Sequence, residues 1–317
     1  MTQGLWTLII GIGLLAALLG LTTGMIWIER RLLARFQDRL GPNRVGPLGL
    51  FQPIADIIKL FMKEDWVPLF ADRWVYVIAP GIIVVTVLLA FAVVPITQTI
   101  KVSDANVGLI FFLGMTSLGV YGIVLAGWAS NSKYSLIGGM RAAAQMISYE
   151  LPMALSLAAV ALLAGSFRMI DVVNAQPKLW YCVLQPLGFV IFVIAGIAEA
   201  RRTPFDLPEA DSELVAGYHT EYSSMKFALF FMGEYLDVIL ISAMVTVLYL
   251  GGWHGPVLPP VVWFIAKTMA VIFLFVWSRA VLPRFRFDQL MGFGWKVLLP
   301  LSLVNLVATG AVMLVMR

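Results

Sequence analysis

Long apolar stretches with few charged residues recur from one end of the chain to the other, and they decide which folds are open to it. A helix needs about 20 mostly apolar residues to cross the hydrocarbon core of a bilayer. Eight segments are long enough: 5–28, 74–100, 105–132, 142–167, 179–198, 227–252, 257–278 and 297–316. We therefore predict an all-α polytopic membrane protein with eight transmembrane helices, in which residues 1–317 form a single integral membrane domain.

The composition excludes several other classes of protein. Hydrophobic residues make up 61% of the chain and charged residues only 13%, whereas a soluble domain is usually about 25% charged. This excludes a soluble enzyme, a disordered chain and a nucleic-acid-binding domain. With the single cysteine, Cys182, the chain cannot form an internal disulfide or a cysteine-ligated metal cluster. Gly20 and Gly24, in the first span, predict close packing against another helix.

Basic residues are distributed unevenly between the two sides of such a bundle. The connections after the first, third, fifth and seventh spans hold seventeen of the 22 Lys and Arg residues, and the other side holds four. Basic residues concentrate in cytoplasmic loops. We therefore predict that 29–73, 133–141, 199–226 and 279–296 are ordered cytoplasmic loops, and that both termini lie outside the cytoplasm.

Residues 48–63 show the pattern of an amphipathic helix. Apolar residues recur at helical spacing on one face, while Gln52, Asp56, Lys59 and Lys63 take the other. Such a helix lies in the interface between membrane and water. It either anchors the fold at the surface or borders a site that opens to the membrane.

Four carboxylates lie within or at the ends of apolar spans: Glu150, Glu199, Glu221 and Glu234. Placing an acid at the centre of a membrane helix costs about 2.5–3.5 kcal/mol, so acids there usually mark a proton or ion pathway. The alternative is that they pair with basic residues, such as Lys267, and merely hold helices together. The residues alone thus indicate a polytopic protein that moves protons or ions, or binds an amphiphile.

Four long motifs follow one another in the chain: ERRLLARFQDRLGPNRVGPLGLFQPIADIIKLFMKE (29–64), SNSKYSLIGGMRAAAQMISYE (130–150), AEARRTPFDLPEADSELVAGYHTEYSSMKFALFFMGEY (198–235) and PRFRFDQLMGFGWK (283–296). In these motifs the chain resembles the NuoH/ND1 family, the quinone-site membrane subunit of respiratory complex I. The resemblance extends from the first span to the last and implies the same fold of eight transmembrane helices.

The resemblance also implies a role within a larger enzyme. The chain would be a subunit of a proton-translocating NADH:quinone oxidoreductase in the bacterial inner membrane. It would form the quinone-binding tunnel and link quinone reduction to proton translocation through buried carboxylates. Quinone would be the substrate, and FMN and iron–sulfur clusters would belong to partner subunits, with no cofactor bound by this chain. The implied partners are hydrophilic quinone-module subunits on the cytoplasmic side, small membrane subunits and antiporter-like subunits.

Two sets of functional residues in the family match positions in this chain. The quinone-binding set is Glu29, Arg30, Arg39, Asp56, Phe227, Phe230, Phe231, Arg284, Arg286 and Asp288. The proton-relay set is Glu150, Glu199, Glu209, Asp211, Glu213, Glu221 and Glu234. Two positions depart from the pattern. Asp211 stands where the family most often has Glu, and Arg201 stands where many members have a neutral side chain, so that it could hold a nearby acid.

Two alternatives remain open. The first is the equivalent subunit of a related complex that receives electrons from ferredoxin, F420 or a hydrogenase centre. The second is a free-standing transporter of ions or protons. Such transporters often contain internal repeats, and they do not need long ordered cytoplasmic loops.

Overall fold

The computed structural model describes residues 2–177, 179–208 and 211–315. Its α-helices are α1 (Thr2–Phe36), α2 (Gln52–Met62), α3 (Arg73–Phe91), α4 (Gly108–Ala129), α5 (Lys133–Ala164), α6 (Met169–Asn174), α7 (Tyr181–Leu184), α8 (Pro186–Glu199), α9 (Asp211–Leu214), α10 (Ser224–Tyr249), α11 (Pro260–Val281), α12 (Phe287–Phe293) and α13 (Leu299–Val315). Within the described residues, seven helical segments are long and apolar enough to cross a membrane, with α12 and α13 counted as one. The shorter apolar helix α8 accompanies them. The prediction of an all-α polytopic membrane protein is confirmed.

The fifth predicted span, 179–198, is a broken helix. The break lies at Gln185, where the backbone leaves helical geometry (φ −130°, ψ 63°), and it is followed by Pro186, which has no N–H to donate. The 14 residues of α8 extend for about 21 Å, against a hydrocarbon core of about 30 Å. The chain continues as non-helical backbone over 200–208, most of which is buried. In membrane proteins, buried non-helical backbone of this kind is tolerated where protein encloses it.

Several helices extend beyond the apolar stretches that predicted them. α1 continues to Phe36, and α5 begins at Lys133, so that residues 133–141, predicted to be a loop, form its first turns. Residues 287–298, which begin inside the predicted loop 279–296, are also helical, and the last five of them form a π-helical segment. Hydropathy identifies the part of a helix that can lie in lipid. Backbone hydrogen bonds can continue the same helix beyond that apolar part.

The amphipathic helix predicted within 48–63 is confirmed as α2. Its apolar side chains, including Ile54, Ile58 and Phe61, are exposed. The end of α2 is tied to the start of α10, where the Ser224 hydroxyl donates to the carbonyl oxygen of Leu60 at 3.0 Å. The exposed apolar face of α2 therefore has a fixed position beside α10.

Glycine allows two helices to pack closely at Gly196, whereas two glycines of α1 make no close contact. A Cβ on Gly196 of α8 would lie 2.4 Å from Cγ2 of Ile241 in α10, so only glycine permits this approach. The packing predicted for Gly20 and Gly24 is wrong for the described residues. A Cβ on either glycine would meet no atom of another element within 4 Å. At this level α1 stands away from the bundle and leaves a cavity.

Candidate functional site

Charged residues from distant parts of the chain meet in one buried network. Nη1 of Arg202 donates to both carboxylate oxygens of Glu29, at 3.1 and 3.3 Å, and Nε of Arg202 lies 3.0 Å from Oε1 of Glu234. Glu29 also accepts hydrogen bonds from Arg279 and from the Tyr235 hydroxyl. These five residues, hereafter the Arg202 network, join α1, α10, α11 and the segment after α8.

The end of α8 explains how two adjacent arginines come to lie inside the bundle. Arg201 adopts the left-handed region (φ 54°), which costs a residue with a side chain about 1–2 kcal/mol. Its N–H turns back to the carbonyl oxygen of Ala198 at 3.2 Å, and the next N–H, of Arg202, reaches the oxygen of Ile197 at 3.2 Å. Glycine usually takes the left-handed position of this Schellman arrangement. The reversal leaves both arginines near the negative end of the α8 dipole.

The charge of Arg202 depends on its buried partners. The residue is 6% exposed. Burial opposes the charged form of its guanidinium, and the adjacent carboxylates of Glu234 and Glu29 stabilise that form. Removing one partner of a buried ion pair costs about 3–5 kcal/mol, because the other charge is left uncompensated. The Arg202 network therefore holds its geometry only while its acids and cations are all present.

A row of aromatic rings along α10 leads to the Arg202 network. Phe227 and Phe231 stack with centroids 6.0 Å apart, and Phe231 meets Tyr235 edge-on at 5.1 Å. The guanidinium carbon of Arg202 lies 4.4 Å from the centroid of the Tyr235 ring. Two of the three candidate phenylalanines thus belong to this aromatic row, whereas Phe230 packs against Tyr218 and Tyr222.

A second buried group of charges surrounds Arg201. Nη2 of Arg201 donates to Oδ2 of Asp237 at 3.1 Å. Glu199, which is 3% exposed, lies within electrostatic reach of Arg201, Asp237 and Glu150. Glu150 in turn accepts a hydrogen bond from Ser117. Glu150, Glu199, Arg201 and Asp237 are hereafter the Arg201 group, in which Asp237 binds the cation and Glu150 lies near Glu199.

The remaining relay candidates lie apart from these two clusters. The backbone oxygen of Glu221 accepts a hydrogen bond of 2.6 Å from the Tyr76 hydroxyl. Glu213 forms an ion pair with Arg141 at the start of α5. The structure therefore divides the relay candidates into several sites rather than one row. Two candidates lie outside the described residues and side chains: Glu209 and the side chain of Asp211.

Within the described part of the chain, Lys267 forms no ion pair with a carboxylate, contrary to the pairing considered from the sequence. Its Nζ donates to the carbonyl oxygens of Leu250, Gly252 and His254, at 2.6, 3.0 and 2.7 Å. It also lies 4.5 Å from the centroid of the Trp180 ring. Lys267 therefore caps the C-terminal end of α10 by binding the carbonyl groups that follow it.

The other candidate charges form pairs nearer the surface. The pairs are Arg30 with Asp56 at 2.6 Å, Arg284 with Asp206 at 2.9 Å, and Arg286 with Asp288 at 3.2 Å. Arg39 is exposed and donates to the Gln37 side chain at 2.7 Å. The Arg284 pair connects the segment before α12 with the segment after α8, so two of the predicted cytoplasmic loops are joined.

A large apolar cavity lies between α1, α10 and α11. Its volume is about 570 Å³, within the range of about 300–1,000 Å³ that is usual for small-molecule sites. Met25 lines this cavity and also lines a small pocket of about 10 Å³, together with Glu29, Arg202 and Tyr235. The apolar cavity therefore adjoins the Arg202 network at Met25.

Five residues of these clusters were in neither candidate set from the sequence: Arg201, Arg202, Tyr235, Asp237 and Arg279. Asp237 gave a signal, because it is a carboxylate inside an apolar span. The sequence contained no signal for Arg279, because its partner Glu29 lies 250 positions away in the chain.

Comparison with known proteins identifies the family of the chain. A family profile described as NADH dehydrogenase matches residues 9–310. An H-type NADH-quinone oxidoreductase subunit of Geobacter metallireducens is 54% identical over 93% of this chain and 93% of its own. The H-type NADH-quinone oxidoreductase subunit of Methylococcus capsulatus is 55% identical over 95% of this chain and 96% of its own. With a family match over nearly its whole length and relatives this similar, the chain belongs to the NADH dehydrogenase (NuoH/ND1) family of membrane proteins.

Proposed function

We propose that this chain is the membrane subunit that forms the quinone-binding tunnel of a proton-translocating NADH:quinone oxidoreductase and links quinone reduction to proton translocation. The names of its relatives support an enzyme of this class. The observation that carries the proposal is the apolar cavity that adjoins the Arg202 network at Met25. A quinone combines an apolar tail with a polar headgroup. The cavity offers apolar walls for the tail, and the Arg202 network offers charged and hydroxyl groups beside it for the headgroup.

The site would act on the quinone headgroup through charge and shape. Reduction of a quinone adds two electrons and two protons, and negative charge develops on its oxygens as the electrons arrive. Cations and hydroxyl groups in a site shielded from water stabilise such charge. The Arg202 network supplies both, and the aromatic row of Phe227, Phe231 and Tyr235 offers apolar faces beside them. The electrons would come from a partner subunit.

The proton relay would begin where the two buried clusters meet. Arg202 holds Glu29 and Glu234, while the adjacent Arg201 holds Asp237 within reach of Glu199. A change of charge at the quinone would alter the Arg202 network and, through the backbone shared by the two arginines, the Arg201 group. Local charge changes of this kind act as switches when they bias a neighbouring element. Glu213, Glu221, Glu209 and Asp211 would extend the path on the cytoplasmic side.

The proposal includes partners and a location. The segments 29–73, 199–226 and 279–296 would bind hydrophilic quinone-module subunits, which carry FMN and iron–sulfur clusters. Small membrane subunits and antiporter-like subunits would lie alongside in the bacterial inner membrane. An equivalent subunit fed by ferredoxin, F420 or a hydrogenase centre is less well supported, because the named relatives are NADH-quinone oxidoreductase subunits.

The tunnel is tested by narrowing it at Met25. Met25→Trp should lower the turnover of a long-tailed quinone in the assembled complex, and should affect a short-tailed analogue much less. Leu19→Trp is the matched control, because Leu19 lies on α1 and its side chain does not line the cavity. It should change the turnover of neither quinone. The proposed tunnel is wrong if Met25→Trp leaves both quinones at wild-type turnover.

Substitution of glutamate by glutamine tests the relay, because it removes the titratable carboxyl group and keeps the size of the side chain. Glu150→Gln and Glu234→Gln should lower quinone-linked turnover and proton pumping together in an assembled complex reconstituted into vesicles. Glu64→Gln, which changes an exposed carboxylate, should have no effect. Wild-type pumping stoichiometry and rate in both Gln variants would make these acids structural only.

A further inference from the structure

Gln145 is a buried amide on α5 that belongs to none of the sets and clusters described above. The residue is 0% exposed. Its Nε2 donates a hydrogen bond of 2.8 Å to the carbonyl oxygen of Ala198 and another of 2.8 Å to that of Phe205. These two carbonyls flank the chain reversal that carries Arg201 and Arg202. One side chain therefore joins both ends of that reversal, an arrangement hereafter called the Gln145 clasp.

The partners of this amide fix which way it points. Both hydrogens of Nε2 go to carbonyl oxygens, while Oε1 is buried and has no hydrogen-bond partner among the described residues. Turning the amide over would direct Oε1 at the two carbonyls, so that three acceptors would meet without a donor. Gln145 therefore leaves its own acceptor unpaired, which costs stability, and binds both ends of the reversal.

The Gln145 clasp supports a backbone conformation that is unfavourable on its own. The carbonyl oxygen of Ala198 also accepts the N–H of Arg201, which lies in the left-handed region that a residue with a side chain seldom adopts. Such conformations persist where the surrounding structure over-determines them. The ring of Phe205 adds a second contact with α5, since it packs against Tyr149, one turn after Gln145, with centroids 5.4 Å apart. Two successive turns of α5 thus hold the reversal in place.

The reversal carries two arginines that serve different clusters. Arg202 binds Glu29 and Glu234 in the Arg202 network, whereas Arg201 binds Asp237 in the Arg201 group. The two arginines are adjacent in the chain, so a change of backbone angle at Arg201 redirects the side chain of Arg202 as well. A clasp across the reversal therefore constrains both guanidinium groups at once.

We propose that Gln145 is a positioning residue for quinone reduction and proton translocation. Its clasp holds Arg202 beside the space for the quinone headgroup and Arg201 beside the relay acids, in one fixed geometry. It acts through the backbone of 198–205 rather than on the quinone itself. This inference rests on the proposed function, because it takes the two clusters to serve the quinone and the relay.

Gln145→Met tests the clasp in the assembled complex, because methionine keeps about the length of the side chain and cannot donate to a carbonyl. The reversal can then leave the left-handed conformation, and both arginines lose their fixed direction. We expect kcat/KM for quinone to fall by about fivefold or more, the change in an equilibrium to which one hydrogen bond corresponds. The number of protons pumped per quinone reduced should also fall, because Arg201 is displaced together with Arg202.

Gln176→Met is the matched control. Gln176 is also 0% exposed, and its Nε2 donates to three carbonyl oxygens, those of Val172, Val247 and Leu248. Its partners on α10 lie about 20 Å along that helix from Glu234. Both substitutions should lower the unfolding temperature of the complex, and only the one on α5 should lower kcat/KM for quinone. Equal losses of kcat/KM would indicate general destabilisation and would overturn the inference, as would wild-type kcat/KM and pumping in an assembled Gln145→Met complex.

The cryo-EM structure of the Gln145→Met complex shows whether the substitution acts through the backbone. Arg201 should no longer have a positive φ, and Nη1 of Arg202 should lie beyond hydrogen-bond distance, about 3.5 Å, from Glu29. An unchanged reversal would overturn the inference.

Gln145→Asn decides the question if Gln145→Met does not assemble. Its amide is one methylene shorter, so it is drawn back from both carbonyls and weakens the clasp without removing the donors. The Asn variant should assemble and show a lower kcat/KM for quinone. A wild-type kcat/KM, or failure of both variants to assemble, would assign Gln145 a purely structural role and overturn the inference.

Met25→Trp and Glu150→Gln in the same experiment separate this inference from the proposed function. If those two variants are impaired as expected and Gln145→Met is not, the tunnel and the relay stand and the clasp has no role in them. If Gln145→Met displaces both arginines while all three variants keep wild-type turnover and pumping, the proposed function fails, and the inference fails with it.

Discussion

The guanidinium of Arg202 lies over the ring of Tyr235, 4.4 Å from its centroid, while the Tyr235 hydroxyl bonds with Glu29, the carboxylate that Arg202 itself binds. One tyrosine therefore contacts both a cation through its ring and an anion through its hydroxyl. Because Tyr235 also ends the aromatic row of α10, it fixes the position of the Arg202 network relative to that row.

Tyr235→Phe separates the two contacts, since it keeps the ring over Arg202 and removes the bond to Glu29. A hydrogen bond to a charged group is worth about 1.5–3 kcal/mol. We expect the variant complex to assemble, to unfold at a lower temperature and to reduce quinone more slowly. Tyr121→Phe, which changes a tyrosine that is 63% exposed, is the control. Equal effects of the two substitutions on quinone reduction would contradict a role for the Tyr235 hydroxyl.

Arg39→Ala tests the exposed cations near the proposed mouth of the tunnel. Arg39 is exposed and its hydrogen bond goes only to Gln37, so its loss should leave the fold intact. We expect slower quinone reduction, while electron transfer from the donor to a soluble acceptor stays at the wild-type rate. Both activities are measured on the same membranes. An equal loss of the two would indicate defective assembly instead.

The orientation predicted from the basic residues is tested by cysteine labelling. In a Cys182→Ser background, Arg44→Cys places a thiol in the exposed segment between α1 and α2. A membrane-impermeant reagent should label this thiol in inverted vesicles and leave it unlabelled in sealed cells. Labelling in sealed cells would reverse the proposed orientation of the chain.

The segment between α3 and α4 provides a prediction about pH. A hydrogen bond from Arg168, with Lys101 also nearby, lowers the pKa of Asp104 from 3.8 to about 2. Because the fold favours the charged form, this contribution to stability is complete above about pH 4 and is lost as the pH falls towards 2. Thermal unfolding of the complex should therefore show a smaller loss over this range for Asp104→Asn than for the wild type. Identical pH profiles would show that the ion pair contributes nothing to stability.

The sequence predicted where the chain crosses the membrane better than how its charges are paired. Long apolar stretches depend on local composition, and α2 depends on local periodicity, so both could be read directly. The break at Gln185 was missed because α7 and α8 are both apolar, and hydropathy does not register a change of backbone angle. The resemblance assigned Glu29 to the quinone-binding set and Glu234 to the proton-relay set, and it did not indicate that one arginine joins the two acids.

Pairing between distant elements could not be read in this way. Arg202 joins Glu29 to Glu234 across three helices, and nothing near any of these residues in the chain specifies the others. The left-handed backbone at Arg201 was equally hidden, because a glycine normally marks such a position and none is present there. The partner of a buried charge is set by tertiary packing, which a single sequence does not display.

The interrupted fifth pass has a mechanical consequence. A continuous helix moves as a stiff rod, so a shift at its inner end would displace its outer end by a similar amount. Here the rod ends at Glu199, and the segment 200–208 can change its backbone angles without dragging α8 through the bilayer. A displacement that begins beside Arg202 can therefore be absorbed within 200–208, and the far end of α8 at Gln185 stays still.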